Sequence, residues 1–369
     1  MRLKRNGVVE QDLLTDMGRV MGRVQTGGND GSINVPGLLL GYPIFQAVSL
    51  GAPTQRVPNV SVSGQTLSWS YPAAQAGTTH GKADCIILYG TRALPYGAGS
   101  YSPPAESSRW GFRIRHPQTG AVIIDDKYSN LAFRQKVSLT TGVIVAGGAS
   151  TVSFTYASPT MPMVAITCSK PTTLWSVTRS GNNWTFQFYA QGASATITAY
   201  VFDDPAALGA GWGARIRSGA TIRYDSRHKY ARPVNRLAGS SGAPSATIAS
   251  GKTYAVAPGR FTGEFRSEVM PWEGGNWDQT VTTEAMGVSF SGNQITSALV
   301  QLFAASSSGS GTLPPAWLYQ YPTYEWLGQQ RRLAFRYSDP ARERYFDGMV
   351  ACRDCGFSAA QAQASAAAV

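Results

Sequence analysis

Trp110-Gly111-Phe112-Arg113-Ile114-Arg115 recurs further along the chain as Trp212-Gly213-Ala214-Arg215-Ile216-Arg217. Each copy passes through a Gly-Ala turn into a second run with an acidic end. The first is Gly120-Ala121-Val122-Ile123-Ile124-Asp125-Asp126 and the second is Gly219-Ala220-Thr221-Ile222-Arg223-Tyr224-Asp225. Alternation puts Trp, Phe or Ala, and Ile on one face and the arginines on the other, which is the period of a half-buried strand. The first copy carries three more residues in its turn, where a hairpin tolerates insertion. Both copies are therefore predicted to be β-hairpins.

A second element occurs three times. Val60-Ser61-Val62-Ser63-Gly64-Gln65-Thr66-Leu67 matches Val177-Thr178-Arg179-Ser180-Gly181-Asn182-Asn183-Trp184 and Val288-Ser289-Phe290-Ser291-Gly292-Asn293-Gln294-Ile295. Ser-Gly followed by Asn or Gln supplies the positive φ of a tight turn between two alternating strands. A loop of small residues and an apolar strand are expected after each copy: CIILYG, ATITAYVF and AWLYQYP. Order and turn chemistry repeat together, as in tandem sandwich units.

The fold class read from these patterns is mainly β: tandem antiparallel sandwich-like units with a short N-terminal arm and an irregular or helical C-terminal tail. Residues 1–32 are the arm, helical in character over Glu10 to Val24. Unit one spans 33–92, a linker rich in Gly, Pro and Ser spans 93–108, unit two 109–204 and unit three 211–327. Residues 328–369 form a basic docking tail. The apolar run Gly37 to Ala52 is punctuated by Gly and Pro and reads as a buried strand pair.

Composition agrees with strands and turns. The 369 residues are 43% hydrophobic and include 40 glycines, enough apolar matter for sizeable cores. Charged residues are only 14%, against roughly 25% in ordinary soluble domains, which fits a surface covered by other subunits. The net charge of +11 suits nucleic acid, an anionic envelope or acidic neighbours. Cys85 and Cys168 sit in strand-like runs and are expected as free buried thiols. No apolar h-region marks a signal peptide, and no run is long enough to span a membrane.

Catalysis needs converging acids, bases or nucleophiles, and the sequence offers none, so no enzymatic activity is expected. His80, His116 and His228 read as solvated loop residues. Asp125/Asp126 and Asp203/Asp204 read as strand-end caps, with calcium as the alternative. Three other places carry candidate chemistry. The loop of Trp272, Glu273, Asn276, Trp277 and Asp278 offers flat rings beside polar groups, which suits sugar stacking, or folds onto its own sandwich. Arg331, Arg332, Arg336, Tyr337, Arg342, Arg344 and Tyr345 suit docking on an acidic subunit better than a nucleic acid, whose fold signatures are missing. Cys352 and Cys355, in Cys-Arg-Asp-Cys, have the spacing of half a zinc or iron–sulfur site, completed by another chain, or of a redox pair or inert thiols; otherwise no cofactor is expected.

The hairpin pattern in WGFRIRHPQTGAVIIDDKYS and WGARIRSGATIRYDSRHK resembles segments of minor tail and tail-tip proteins of long-tailed bacteriophages. The resemblance covers roughly residues 109 to 327. It implies a structural virion component of the tail tip, baseplate or tail fibre, built of chained sandwich domains. Its implied partners are other tail proteins, further copies of itself in a homo-oligomer such as a trimer, and a glycan of the bacterial surface. A glycan- or lipopolysaccharide-binding module is the second reading and an envelope-degrading hydrolase the third. Neither a specific nucleic acid nor a membrane span is implied.

Overall fold

The computed structural model describes residues 2–5, 8–12, 17–50, 55–73, 81–93, 113–116, 119–145, 148–210, 213–237, 245–248, 254–258, 263–271, 276–310, 323–327 and 349–352. The chain is mainly β, and its sheets are antiparallel.

The first part contains β1 (Arg2–Arg5), β2 (Val8–Asp12), β3 (Arg19–Gln25), β4 (Gly31–Asn34), a 3-10 turn at Pro36–Leu40, β5 (Tyr42–Ser49), β6 (Asn59–Ser63), β7 (Thr66–Ser70) and β8 (Cys85–Arg92). The second contains β9 (Arg113–Arg115), β10 (Val122–Asp125), β11 (Ser129–Asn130), β12 (Ala132–Thr140), β13 (Ala149–Ala157), β14 (Met163–Cys168), β15 (Thr172–Ser180), β16 (Asn183–Gln191) and β17 (Thr196–Asp203). The third contains β18 (Arg215–Ser218), β19 (Thr221–Asp225), β20 (Pro233–Leu237), β21 (Ser245–Thr247), β22 (Ala255–Ala257), β23 (Gly263–Pro271), β24 (Asn276–Ser291), β25 (Gln294–Ser310), β26 (Thr323–Leu327) and β27 (Met349–Cys352).

One topology occurs three times. In the first part β8 lies between β3 and β5, while β7 lies between β4 and β6. In the second β17 lies between β12 and β14, and β16 between β13 and β15. In the third β27 lies between β20 and β22, and β25 pairs with β21 and β24. Each six-strand set follows a hairpin: β1–β2, β9–β10 or β18–β19. In the third set β24 and β25 are prolonged into an arm, which β23 and β26 widen.

The three Ser-Gly elements are all two-residue hairpins, closed by the pairs Ser63–Thr66, Ser180–Asn183 and Ser291–Gln294. Gly64, Gly181 and Gly292 have φ of 57°, 60° and 55°, while the residues after them stay out of the left-handed region. That is the signature of a type II′ turn, whose twist matches that of the flanking strands. Nothing lies within 4 Å of where a Cβ would sit on these glycines. Backbone angle, rather than space, selects glycine there.

Strict alternation fills the cores. Along β16, Trp184, Phe186, Phe188 and Ala190 are buried and the residues between them half-buried or exposed. Along β8 successive residues divide between two cores. Ile87 faces Val60, Leu67 and Trp69 inside the first sandwich, while Ile86 and Leu88 join Val20 and Val48 in a core shared with Val164, Ile166, Phe188 and Phe202 of the second. This double burial explains the unbroken apolar run in CIILYG. Each such side chain contributes about 1.5–3 kcal/mol of transfer free energy, so the sandwiches adhere to one another through the shared core. That core also takes in Val256, Val288 and Ile295 of the third set.

Several expectations are corrected. Glu10 to Val24 is not helical, because β2 and β3 occupy its described residues. The arm is a further hairpin whose strand pairing matches that of the other two. Gly37 to Ala52 is a 3-10 turn followed by a single strand, Tyr42–Ser49, rather than a strand pair. The third strand equivalent to CIILYG is Met349–Cys352 and not AWLYQYP, which lies outside the described residues along with the 94–108 linker. Met349–Cys352 pairs with β20 and β22, so this part of the expected docking tail is a sheet strand.

Candidate assembly junction

The three hairpins share an unusual register. Arg2 pairs with Asp12, Arg113 with Asp125 and Arg215 with Asp225, and in each a bulge interrupts the ladder after the next pair inward. Counting six residues on from each aspartate reaches Gly18, Leu131 and Ala231. The Gly18 amide donates to the Ala231 carbonyl at 3.0 Å, and the Ala231 amide donates to the Leu131 carbonyl at 2.9 Å. On either side of these points the pairing is the same from one unit to the next. Arg19 lies opposite Asn130, and the equivalent Ala132 lies opposite Tyr230. Equivalent segments thus follow one another in cyclic order, the relation that a threefold rotation produces. A single chain holds a pseudo-threefold junction.

A small core fills the junction with residues from all three parts: Met17, Ala93, Ile123, Ile124, Tyr224 and Tyr230. Tyr224 and Tyr230 stack at 5.0 Å between ring centres. The Tyr230 hydroxyl accepts from the Asp225 amide at 2.6 Å and donates to the Asp225 carbonyl at 2.8 Å. Around this core the charges are closed by partners. Arg19 Nη1 contacts Asp125 Oδ2 at 2.6 Å with both side chains fully buried, and Arg19 Nη2 donates to Thr91 Oγ1 at 3.1 Å. Asp125 Oδ1 accepts from the amides of Lys127 and Tyr128, so it caps the strand end as the sequence reading expected.

Asp225 caps the same turn in the third hairpin and takes in addition Arg227 Nη2 at 2.7 Å and Arg215 Nε at 2.8 Å. Hydrogen bonds from Arg227 foremost, then from Arg215, hold its carboxyl well below the usual carboxylate range. Burial acts the other way on Asp203 and raises its pKa. Among the described residues no cluster of three or more His, Cys, Asp or Glu could hold a metal.

The two described histidines are not solvated. His116 and His228 are buried. His228 Nε2 bonds the Ala206 carbonyl at 3.0 Å, and the Thr119 amide donates to His116 Nδ1 at 3.4 Å. Both hold turns that a loop sequence alone does not show to be covered. Cys85 and Cys168 are free and buried, as expected.

The proposed glycan loop is corrected in part. Asn276, Trp277 and Asp278 belong to β24, where Trp277 lies opposite Pro271 and Gly309, and Asp278 opposite Met270 and Ser308. The connection is therefore shorter than the loop read from sequence, and Trp272 and Glu273 lie outside the described residues. Val288 marks where β24 meets β15. Eleven residues separate it from Trp277, so the end of the arm stands roughly 35 Å from that contact at strand rise. Cys352 ends β27, opposite Pro233 and Ala255. Cys355 and the cluster of Arg331, Arg332, Arg336, Tyr337, Arg342, Arg344 and Tyr345 lie outside the described residues.

Sequence reasoning missed the junction residues Gly18, Arg19 and Tyr230, and also Val143, Ile144 and Val145. These three apolar residues, between β12 and β13, are 81%, 51% and 41% exposed. Three β-branched residues between glycines in Gly142-Val143-Ile144-Val145 carried that signal. Comparison with family models, curated proteins and solved structures found no match for this chain.

Proposed function

We propose that the chain is a non-enzymatic structural component of a long-tailed phage tail tip that binds other tail subunits. The observation that carries this reading is the junction at which Gly18, Leu131 and Ala231, one from each part of the chain, meet in cyclic order. The junction carboxylates Asp125 and Asp225 are spent on caps and ion pairs, as structural groups are. The resemblance of the Trp-Gly hairpin sequences to segments of minor tail proteins supports the choice of assembly. Labelling purified phage particles with an antibody to this chain, viewed by electron microscopy, tests it. Label at the distal end of the tail is expected, and particles that carry none reject it.

The extended arm favours a second, compatible reading in which its end binds a bacterial surface glycan. Asn276, Trp277 and Asp278 lie at the end of β24 farthest from the shared core. Trp272→Ala with Trp277→Ala should then cut adsorption to host cells or lipopolysaccharide at least tenfold, with the thermal melt unchanged. Unchanged adsorption removes the glycan reading.

A further inference from the structure

We propose that the loop Gly142-Val143-Ile144-Val145, between β12 and β13, inserts its apolar tip into the interfacial layer of a phospholipid bilayer. This goes beyond the assembly reading above and does not rest on it.

Val143 is 81% exposed, and Ile144 and Val145 are exposed with it. Three consecutive large apolar side chains left in water mark a surface that meets something else. They stand at the end of the second sandwich where the connections β12–β13, β14–β15 and β16–β17 come together, as the pairs Thr140–Thr196, Cys168–Ile197 and Ala149–Gln191 place them. Nothing lies within 4 Å of where a Cβ would sit on Gly142, so the loop projects from that end.

The projection is fixed at its root. The Thr141 amide donates to the Ala195 carbonyl at 2.9 Å, and the Val145 amide donates to the Ala149 carbonyl at 2.8 Å. The buried hydroxyls of Thr141 and Ser150 bond each other at 2.6 Å. Ser194, whose amide donates to the Gly142 carbonyl at 3.4 Å, has a φ of 54° and is the one non-glycine residue with positive φ among the described residues. Strain of that kind persists where the surrounding structure imposes it, and it collects at binding sites. β-Branched side chains also have few rotamers to lose, so the tip meets a partner at little entropic cost.

Two features choose lipid over protein. Ile144 forms an antiparallel bridge with Ser150, so the limb is extended there and successive side chains leave it on opposite sides. All three are exposed, which makes the tip apolar on both sides. A protein face docked against the limb covers one side, whereas a fluid apolar layer wraps both. The charges agree. Lys170, whose amine donates to the Ala193 carbonyl at 2.7 Å, is the one charged residue among the described residues of the three connections. No carboxylate there is driven toward the phosphates of a headgroup layer, and the lone cation suits them.

The test floats the full chain with vesicles of phosphatidylethanolamine and phosphatidylglycerol. Binding is expected, and it should persist in about 0.5 M salt, where surface charge is screened within roughly 4 Å. Val143→Ser with Ile144→Ser should weaken it at least about tenfold. Val143→Leu with Ile144→Leu should keep it, and both pairs should leave the thermal melt unchanged because the replaced side chains are exposed. Absence of vesicle binding by the unaltered chain overturns the proposal and leaves the tip to an apolar pocket of a protein. Equal binding of the serine variant overturns it as well. Binding that disappears in the high salt does the same, by showing adsorption through the net charge of +11 alone. Self-association in sedimentation that the serine variant abolishes would instead assign the tip to a second copy of the chain. No phage particle enters these measurements, so the lipid contact and the tail-tip reading fail separately.

Discussion

The junction and the outer turns both end strands and redirect the chain, with opposite chemistry. At the junction, buried charges are paired across long sequence separations, as Arg19 is with Asp125. At the outer ends, Gly64, Gly181 and Gly292 turn the chain by backbone angle alone, with no neighbour close enough to matter. The contrast separates two sources of order. Local turn chemistry makes each hairpin, while long-range pairing decides how the hairpins meet. Substitutions in the two regions should differ accordingly in size.

The largest effect is expected from Arg19→Ala, which strands a buried carboxylate. Chemical denaturation should show a loss of about 3–5 kcal/mol. A loss below about 1 kcal/mol would mean that the junction is not held by this pair. Asp225→Asn should also destabilise at neutral pH, and its dependence on pH sharpens the comparison. The folded pKa of Asp225 is depressed, so its contribution is full above the unfolded value of about 4 and fades as pH falls below that. The gap between wild type and Asp225→Asn should therefore narrow as pH drops from about 5 toward 2. A constant gap across that range breaks the ion-pair account.

Gly181→Ala in an outer turn should cost only about 1 kcal/mol, through φ strain with no steric clash. A loss as large as that of Arg19→Ala would erase the distinction between the two regions. The smallest effect concerns Cys168, whose thiol burial pushes up to about 12. Iodoacetamide at pH 8 should leave its peptide unmodified in native protein and label it after denaturation, read by mass spectrometry. Rapid native labelling would show that the shared core opens.

Elements governed by neighbours in sequence were legible. The alternation in Arg113-Ile114-Arg115 and Arg215-Ile216-Arg217 marked strands that pair as hairpins, and the three Ser-Gly turns lie where the sequence put them. The first hairpin escaped notice because Met1-Arg2-Leu3-Lys4 lacks the Trp-Gly lead, and a bulged register is invisible without its partner strand. Met349–Cys352 escaped because the arm and a long stretch of chain separate it from β25. His116 and His228 were misjudged because their cover comes from segments that the local sequence does not identify.

By itself the sequence determined a mainly β chain of repeated hairpins, because strand alternation and left-handed glycines are properties of a few adjacent residues. Only the tertiary structure decided that the three segments following the hairpins meet around Gly18, Leu131 and Ala231, and that β8 is buried on both faces. Those outcomes depend on which distant surfaces meet, and a hydrophobic side chain specifies burial without naming the partner that buries it.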